Sequence, residues 1–417
     1  MELPASLLVL CRSCADAGGQ AWLVGGRVRD ELLDRPSKDL DVEVHGLSAE
    51  RLEAVLSKLG AVNQVGRSFG VFKVRIDGVE LDVSLPRRDS KRGPGHRGIQ
   101  IQGDPHMGLQ EAARRRDLTI NAIAFDPLTG AFEDPHDGIR DIRERRLRAV
   151  DADTFSEDPL RALRVVQFAA RFQFSVDEEL ATLCLNAALD ELPPERIWGE
   201  WAKLLSRSER PSHGLVLARR LGVLDRVFPE AVCEASGDSA VDRAARLRAE
   251  FPEPGMQVAL MLSAWLHRTP AEGVEATLDR LRVFRMGGVP VRDLVLACVV
   301  HVRLLDGPVT DAQLCTLADE LPLGLLLRVA RAIQGDEKVS DVEERVVRLG
   351  VADGPLPPLL LGRDLQRLGM REGPQVGQML DHVRAEQLGG RLRDPEAARQ
   401  WVQERLGESN RPTNSRD

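Results

Sequence analysis

The chain has no tyrosine, and aromatic residues make up only 4% of its 417 residues. Its six cysteines are too few and too scattered for the disulfide framework of a small secreted protein, so we expect reduced thiols. No apolar run reaches the roughly 18–20 residues that cross a bilayer. No basic segment precedes the first apolar run, as it does in a signal peptide. These absences exclude a disulfide scaffold and predict a cytoplasmic protein with no membrane span.

The pair Cys11 and Cys14 has the CxxC spacing of zinc and redox sites. A structural zinc site needs four ligands, and neither a second CxxC nor a nearby His pair accompanies this one. The favoured interpretation is two small apolar residues on one turn of an N-terminal helix.

A strong positive charge is also missing. The 57 Lys and Arg residues are outnumbered by 65 Asp and Glu residues, which gives a formal net charge of −8. This composition excludes a uniformly basic nucleic-acid binder but not local basic patches. Residues 51–100 hold ten basic and five acidic side chains, whereas residues 151–200 hold four and eleven. Any contact with RNA should therefore be local, with an affinity that falls as salt rises.

The spacing of apolar residues divides the chain near residue 150. Before it, short β-like runs at residues 22–24, 40–44, 71–76 and 79–85 alternate with helical spacing over residues 48–59. Asp77-Gly78 supplies the positive φ angles of a tight hairpin. After it, apolar residues recur every three or four positions, and we expect the polar end, residues 409–417, to be disordered. The fold class is therefore α+β, with a small mixed sheet followed by an all-helical part.

A buried-looking strand runs into Gly25 and Gly26 and then into a helix that carries Arg29. Glycines at such a turn let backbone N–H groups approach a phosphate, and the helix N-terminus favours an anion. The alternative is an ordinary tight turn with solvent-exposed arginines, since neither dinucleotide-binding nor phosphate-loop glycine spacing is present.

Paired carboxylates follow about ten residues later. Asp39 and Asp41 are two residues apart on a predicted strand and therefore project from the same face. Such a pair suits Mg²⁺, which takes one or two protein carboxylates and substrate phosphates. A solvated acidic edge strand is the alternative. Glu80 and Asp82, on the second hairpin strand, also share a face, and we favour Asp82 as a third carboxylate.

Two later segments could bind a nucleotide. Asp117 and Asn121, one helical turn apart after the arginines at 114–116, could hold a ribose while the arginines face the triphosphate; a solvated basic helix start is the alternative. Asp158 and Arg161 present an acceptor and a bidentate donor to a nucleobase. Asp158 precedes Pro159, so it could instead cap a helix, as could Ser156.

These four motifs, in this order, resemble the class II tRNA nucleotidyltransferase and poly(A) polymerase family, most closely its bacterial CCA-adding enzymes. The resemblance implies a nucleotidyltransferase head (residues 1–146), a helical neck (147–205), a body (206–335) and a tRNA-binding tail (336–417). It assigns Mg²⁺ binding to Asp39 and Asp41. The nucleotide-binding residues that it implies are Gly25, Gly26, Arg29, Arg116, Asp117, Asn121, Asp158, Arg161 and Arg164. Asp158 and Arg161 would form the amino-acid template for CTP and ATP, and the helix with Glu195, Arg196, Ile197 and Glu200 would support it.

The sequence departs from the family pattern at several places. Many relatives carry Arg where this chain has Gln167, and an acidic residue and Leu where it has Ala112 and Ala113. His267 is not followed by Asp, so we expect neither an HD metal site nor phosphatase activity. Residues 87–108 form a predicted long loop, and a flexible loop here helps CCA-adding relatives switch from CTP to ATP.

The resemblance implies addition and repair of the 3′-terminal CCA of tRNA from CTP and ATP by a two-metal mechanism that releases pyrophosphate. The tRNA would bind through its 3′ end and its acceptor and T arms. A poly(A) polymerase, a CC-adding or A-adding enzyme, and a catalytically silent RNA-binding relative stay open. So do a monomer and a homodimer.

Overall fold

The computed structural model describes residues 2–37, 39–66, 71–91 and 99–409. It divides into two compact units, one ending at Pro229 and the other starting at Glu230. The four-part division into head, neck, body and tail stays a prediction. The end expected to be disordered lies, from residue 410 onward, outside the described residues, as does Lys38 of the acidic motif.

The first unit is built on a seven-stranded mixed sheet in the order β3-β4-β5-β2-β1-β8-β9. The strands and their bounds are β1 Gln20–Val24, β2 Asp41–His45, β3 Ala61–Gly66, β4 Val71–Ile76, β5 Val79–Ser84, β8 Ala124–Phe125 and β9 Phe132–Glu133. Strands β2 and β5 are parallel, and the other pairs are antiparallel. The prediction of an α+β fold with a mixed sheet is therefore confirmed.

Local sequence accounts for several of these elements. Asp77 and Gly78 have φ angles of 49° and 81°, as the tight turn between β4 and β5 requires. Ser48 accepts a hydrogen bond from the backbone N–H of Arg51 and so caps α3 (Ala49–Leu59). The other helices before residue 150 are α1 (Ala5–Asp16), α2 (Gly26–Leu32), α4 (Leu109–Arg114) and α5 (Gly138–Arg143).

The loop predicted for residues 87–108 is corrected by the structure. Strands β6 (Arg87–Lys91) and β7 (Ile99–Gly103) pair antiparallel as a separate two-stranded sheet. The alternation of Ile and Gln in β7 is a β pattern, and pairing of Arg87 with Gly103 closes the hairpin at its base. Residues 92–98, at its tip, lie outside the described residues.

After residue 146 the first unit is helical apart from a two-residue parallel pairing of β10 (Arg146–Leu147) with β11 (Ser175–Val176). Its helices are α6 (Ala152–Phe155), α7 (Leu160–Phe172), α8 (Glu178–Leu185), α9 (Pro194–Arg207), α10 (Pro211–Arg220) and α11 (Val223–Val227). Helix α7 packs against α9 and α10 and is buried along most of its length. A Cβ at Gly214 of α10 would lie 2.7 Å from the Cβ of Ala170, so glycine permits this close packing.

The second unit is helical. Its helices are α12 (Ala235–Leu247), α13 (Pro254–Leu266), α14 (Ala271–Arg280), α15 (Val291–His301), α16 (Asp311–Leu317), α17 (Leu323–Gln334), α18 (Ser340–Leu349), α19 (Gly362–Arg367), α20 (Pro374–Leu388) and α21 (Pro395–Ser409). Helix α13 is apolar around its circumference, and α12, α15 and α17 accordingly pack on it from several sides. A smaller cluster around Leu365 and Val402 joins the last three helices.

Within the described ranges, no helix is both long and apolar enough to cross a bilayer. His267 lies just after α13 and is buried, with Nδ1 2.9 Å from the carbonyl oxygen of Ala264. Burial lowers the pKa of this imidazole. The expected absence of phosphatase activity stays a prediction.

Candidate active site

The glycine turn lies between the acidic strand and the arginine segment. Gly25 follows β1 with φ 75° and ψ −137°, a conformation that side-chain-bearing residues rarely adopt. A Cβ there would lie 3.4 Å from both Asp41 Oδ2 and Arg116 Nη1. Gly26 begins α2, and a Cβ on it would lie 3.5 Å from Arg29 Nη2. The turn therefore brings a carboxylate and a guanidinium against the same glycine.

The sheet brings two carboxylates together. Asp41, the first residue of β2, is in register with Asp82 of the parallel strand β5. In-register residues on neighbouring strands share a face and are about 4.8 Å apart across the ladder. Glu80 is instead exposed and paired with Lys73 and Arg75. Of the two acidic residues of β5, Asp82 is thus the one placed beside Asp41.

The prediction that Asp39 and Asp41 lie on one strand is wrong for Asp39, which is exposed and lies two residues before β2 begins at Asp41. Burial raises the pKa of Asp41; Arg116 opposes this shift, while Asp82 and Asp39 add to it. Lys73 Nζ lies 2.8 Å from Asp82 Oδ1 and offsets part of the negative charge. A divalent cation would relieve the remaining repulsion.

The donor set fits Mg²⁺, which needs only one or two protein carboxylates when substrate phosphates complete its coordination. Among the residues that the structure describes, no group of three or more His, Cys, Asp or Glu side chains forms a ready metal cage. Such a cage is not needed by an ion that binds together with its nucleotide.

Glu43 is a site residue that the sequence reasoning missed. It lies in β2 with 2% of its surface exposed, and its carboxylate accepts a 2.6 Å hydrogen bond from Arg115 and lies 3.9 Å from Arg116. His45 Nε2 is 3.2 Å away. Burial raises the pKa of Glu43, but the contact with His45 and the two arginines outweigh it and bring the pKa to about 2. The alternation that placed Asp39 and Asp41 on one face also placed Glu43 there.

Asp117, Asn121, Arg164 and Arg29 form one hydrogen-bonded chain. Asp117 accepts from Asn121 Nδ2 at 2.8 Å and from Arg164 Nε at 2.6 Å. Asn121 Oδ1 accepts from Arg29 Nη1 at 2.5 Å. Burial opposes ionisation of Asp117, but Arg164 and the amide of Asn121 hold its pKa below the usual value. The structure therefore brings four predicted site residues together.

The predicted helical turn linking Asp117 and Asn121 is wrong. Helix α4 ends at Arg114, and Asn121 ends a separate short 3-10 helix. Leu118 forms an isolated bridge with Ala149, which pulls this backbone away from a continuous helix. The two side chains meet across the 3-10 turn.

Arg29 is buried, and three of its five N–H groups donate within the protein. Its Nε and Nη2 donate to Asp30 at 2.9 Å and 2.7 Å, and its Nη1 donates to Asn121. The guanidinium lies 5.0 Å from the ring centre of Phe168 and 4.8 Å from that of Phe172, both on α7. Arg29 thus joins α2 to α7, and its contact with the triphosphate stays a prediction.

Asp158 and Arg161 are also engaged within the protein. Asp158 accepts from the backbone N–H of Leu160 at 3.1 Å just before α7, whose N-cap residue is Pro159, and it forms a 3.0 Å ion pair with Arg196 of α9. Arg161 donates to the backbone carbonyls of Thr154 at 2.7 Å and Arg115 at 2.6 Å. Arg196 lies where a residue supporting α7 is expected.

A strand-turn-helix beside paired carboxylates, followed by an arginine segment, defines a nucleotidyltransferase of the polymerase type. Residues 21–148 match the poly A polymerase head domain. Residues 173–233 match the probable RNA and SrmB-binding site of polymerase A.

A multifunctional CCA protein of Variovorax paradoxus is 30% identical over 429 residues, covering 88% of this chain and 98% of that protein. One of Stenotrophomonas maltophilia is 44% identical over 216 residues, covering 50% of this chain and 51% of the relative. The match thus spans about half the length of several curated relatives. The chain belongs to the family of multifunctional CCA proteins.

Solved structures have the same fold. A CCA-adding enzyme in its apo form superposes with a TM-score of 0.74 at 22% identity, covering 98% of this chain and 96% of the other. The Thermotoga maritima CCA-adding enzyme complexed with tRNA superposes with a TM-score of 0.70 at 21% identity, covering 97% of this chain and 96% of the other. The Bacillus stearothermophilus CCA-adding enzyme in complex with CTP superposes with a TM-score of 0.71 at 24% identity, covering 98% of this chain and 99% of the other.

Proposed function

We propose that this chain adds and repairs the 3′-terminal CCA of tRNA, using CTP and ATP and releasing pyrophosphate. The observation that carries the proposal is the meeting of Asp41 and Arg116 at Gly25, with Asp82 in register beside Asp41. A triphosphate bound there would lie between a carboxylate pair and a guanidinium. The names of the relatives and the likeness to enzymes solved with CTP, ATP and tRNA support the choice of substrates.

In the proposed reaction, the 3′-hydroxyl oxygen of the tRNA bonds to the α-phosphorus and its proton passes to solvent, while the bond from that phosphorus to the bridging oxygen of the leaving pyrophosphate breaks. Asp39 and Asp41, with Asp82 beside them, would hold Mg²⁺, which supplies neutralisation of phosphate charge and lowers the pKa of the attacking hydroxyl. Arg116 would pair with the phosphates, and the glycine turn would let backbone N–H groups approach them. Asp117 and Asn121 would orient the ribose.

The remaining assignments follow the same proposal. Residues 1–146 would carry catalysis, residues 147–205 would select the nucleotide through Asp158 and Arg161, and residues 206–335 would form the body. Residues 336–417 would bind tRNA. Because tRNA and nucleoside triphosphates are cytoplasmic, the proposal places the enzyme there.

Poly(A) polymerase activity is the second candidate, favoured by the match of residues 21–148 to a poly A polymerase head domain. The two are separated by incubating the purified chain with Mg²⁺, one labelled nucleotide at a time, and tRNAs that lack CCA, CA or only the final A. Two C residues followed by one A support CCA addition. An open-ended A ladder on any RNA would support the polymerase, and addition of C alone or A alone would support a partial enzyme.

Asp41→Asn should abolish addition in this assay. Its control is Asp126→Asn, because Asp126 is a buried aspartate whose carboxylate accepts, among the contacts described, only from the turn N–H groups of Leu128 and Thr129. Full activity of a folded Asp41→Asn variant would show that the carboxylate assignment is wrong. Inactivity of a folded wild-type chain with all nucleotides would favour a silent RNA-binding protein.

A further inference from the structure

Arg115 and Arg116 are neighbours in the chain and share one carboxylate. Arg115 Nη2 donates to Glu43 Oε2 at 2.6 Å, and Arg116 Nη2 lies 3.9 Å from the same oxygen. The other oxygen of Glu43, Oε1, lies 3.2 Å from His45 Nε2. Two adjacent guanidinium groups repel each other, and more strongly where they are removed from water. Glu43 Oε2 therefore offsets a repulsion that the neighbouring arginines create.

Strand β2 fixes the position of this carboxylate. Glu43 is 2% exposed and lies in register with Trp22 of β1 and Ser84 of β5, neither of which carries a charge. Within the described ranges, Glu43 forms the only ion pair of either arginine. The counter-charge of both guanidinium groups thus comes from the central strands of the sheet, to which the glycine turn is also attached.

Arg116 is held by this charge and not by a hydrogen bond. Its distance of 3.9 Å from Glu43 is longer than the roughly 2.7–3.2 Å of a hydrogen bond. In the part of the chain that the structure describes, no oxygen accepts a hydrogen bond from its guanidinium. A Cβ on Gly25 would lie 3.4 Å from Arg116 Nη1, so the guanidinium lies at the glycine turn. Its N–H groups are therefore available there to an anionic ligand.

We propose that Glu43 is a positioning residue that holds Arg116 at the glycine turn with its guanidinium free to bind the triphosphate. The hydrogen bond from Arg115 fixes the carboxylate and neutralises the nearer guanidinium. The longer-range attraction keeps Arg116 in place without occupying its donors. Without Glu43, Arg116 would be repelled by Arg115 and would pair instead with Asp41, which lies against the same glycine.

The inference rests on the proposed function in one respect, the binding of a triphosphate at this turn. It adds a residue that touches neither the nucleotide nor the tRNA and acts through Arg116. Because Arg116 would pair with phosphates, the effect of Glu43 should not depend on the base. CTP, ATP and inorganic tripolyphosphate should therefore all bind more weakly by the same factor when Glu43 is changed.

Calorimetric titration of tripolyphosphate, CTP and ATP into the full chain, with Mg²⁺ and without RNA, measures this. Glu43→Gln keeps the volume and removes the charge, and we expect the Kd of each ligand to rise about tenfold. In steady-state addition to tRNA lacking CCA, KM for CTP and ATP should rise by a similar factor. The kcat should change by less than about threefold, because the contact with the phosphates is already made in the ground state.

A double-mutant cycle with Arg116→Gln tests whether Glu43 acts through Arg116. Glu43→Gln should weaken tripolyphosphate binding about tenfold in the wild-type background and by less than about twofold in the Arg116→Gln background. A purely structural role of Glu43 would weaken binding by the same factor in both backgrounds.

The matched control is Asp141→Asn. Asp141 of α5 is fully buried, and its carboxylate is likewise shared by two arginines, Arg146 at 2.9 Å and Arg148 at 3.0 Å. The control should lower the Tm, as Glu43→Gln does, because each leaves buried guanidinium groups without their counter-charge. It should keep the wild-type Kd for tripolyphosphate. A weakening as large as that caused by Glu43→Gln would assign the effect to lost stability and overturn the inference.

Equal weakening in both backgrounds of the cycle, or wild-type tripolyphosphate binding by folded Glu43→Gln, would overturn the inference and leave the proposed function intact. If Glu43→Gln does not fold, Glu43→Asp, which draws the carboxylate back by one methylene, replaces it in the cycle. Weakening confined to the background that keeps Arg116 then supports the inference, and any other result overturns it. A wild-type chain that adds neither C nor A to tRNA overturns the proposed function, while the tripolyphosphate cycle still decides the role of Glu43.

Discussion

The ion pair between Asp117 and Arg164 should contribute strongly to the stability of the first unit, and Asp117→Asn tests this. The carboxylate is 7% exposed and accepts from Arg164 Nε at 2.6 Å and from Asn121 at 2.8 Å. Removing one partner of a buried pair costs about 3–5 kcal/mol. Because the Arg164 side chain is 33% exposed, water can resolvate part of the guanidinium, and we expect a loss of about 2–3 kcal/mol.

The loss should depend on pH in a defined direction. The folded-state pKa of Asp117 lies below its ordinary value, about 3.9 in an unfolded chain. The stabilisation is therefore fully present above about pH 5 and is lost as pH falls through the folded-state pKa. The difference between wild type and Asp117→Asn should stay constant from pH 7 to about pH 5 and shrink below pH 4.

Calorimetric thermal unfolding measures the loss of stability. We expect the Tm of Asp117→Asn to lie roughly 4–12 °C below that of the wild type at pH 7, since each kcal/mol lowers Tm by about 2–4 °C. The control Asp126→Asn keeps an oxygen that can accept from the turn N–H groups, so its effect should stay below about 1 kcal/mol at every pH. A loss at pH 7 that persists unchanged at pH 3.5, or equals that of the control, would refute the reasoning.

Asp41→Asn should raise the free energy of unfolding by about 0.5–1 kcal/mol at pH 7, since burial and neighbouring carboxylates raise the pKa of Asp41 and so disfavour its charged form. The variant should also lose activity. Thermal scans should show that the gain in stability vanishes at acid pH, where the wild-type carboxyl is protonated. Gly25→Ala should lower the free energy of unfolding by about 1–3 kcal/mol, because the backbone φ at this position is 75°. Gly199→Ala in α9, where nothing lies within 4 Å of the added Cβ, should leave the free energy of unfolding unchanged or raise it; urea titrations measure both. Burial raises the pKa of the Cys11 thiol to about 12, so peptide mapping after alkylation at pH 8 should find partly exposed Cys233 labelled first and Cys11 protected.

Features that depend on neighbouring residues in the sequence were predicted well. The β4–β5 hairpin follows from Asp77-Gly78, and the start of α3 follows from Ser48. The choice between Asp82 and Glu80 was harder, because both share a face of β5. Asp82 differs from Glu80 only in that the parallel pairing of β2 with β5 sets it opposite Asp41. The local sequence of neither strand determines this pairing.

The errors have the same origin. The segment from residue 87 looked like a loop because it is polar and rich in glycine, but cross-strand pairing of β6 with β7 outweighs that composition. The helical spacing of Asp117 and Asn121 was misleading because Leu118 pairs with distant Ala149. Glu43 was passed over because a buried glutamate is costly unless cations surround it, and its cations come from residues 115 and 116.

The hydrogen bonds of the predicted nucleotide-binding residues bear on how variants should be interpreted. Arg29, Asn121, Asp117 and Arg164 form one continuous network between α2 and α7, and Arg161 bonds to the backbone around residue 115. A substitution at any of them removes a contact that holds the site together as well as a predicted contact with the nucleotide. Lost activity alone therefore does not identify a ligand contact. A nucleotide-binding role requires that KM or nucleotide preference change by more than the measured loss of stability explains.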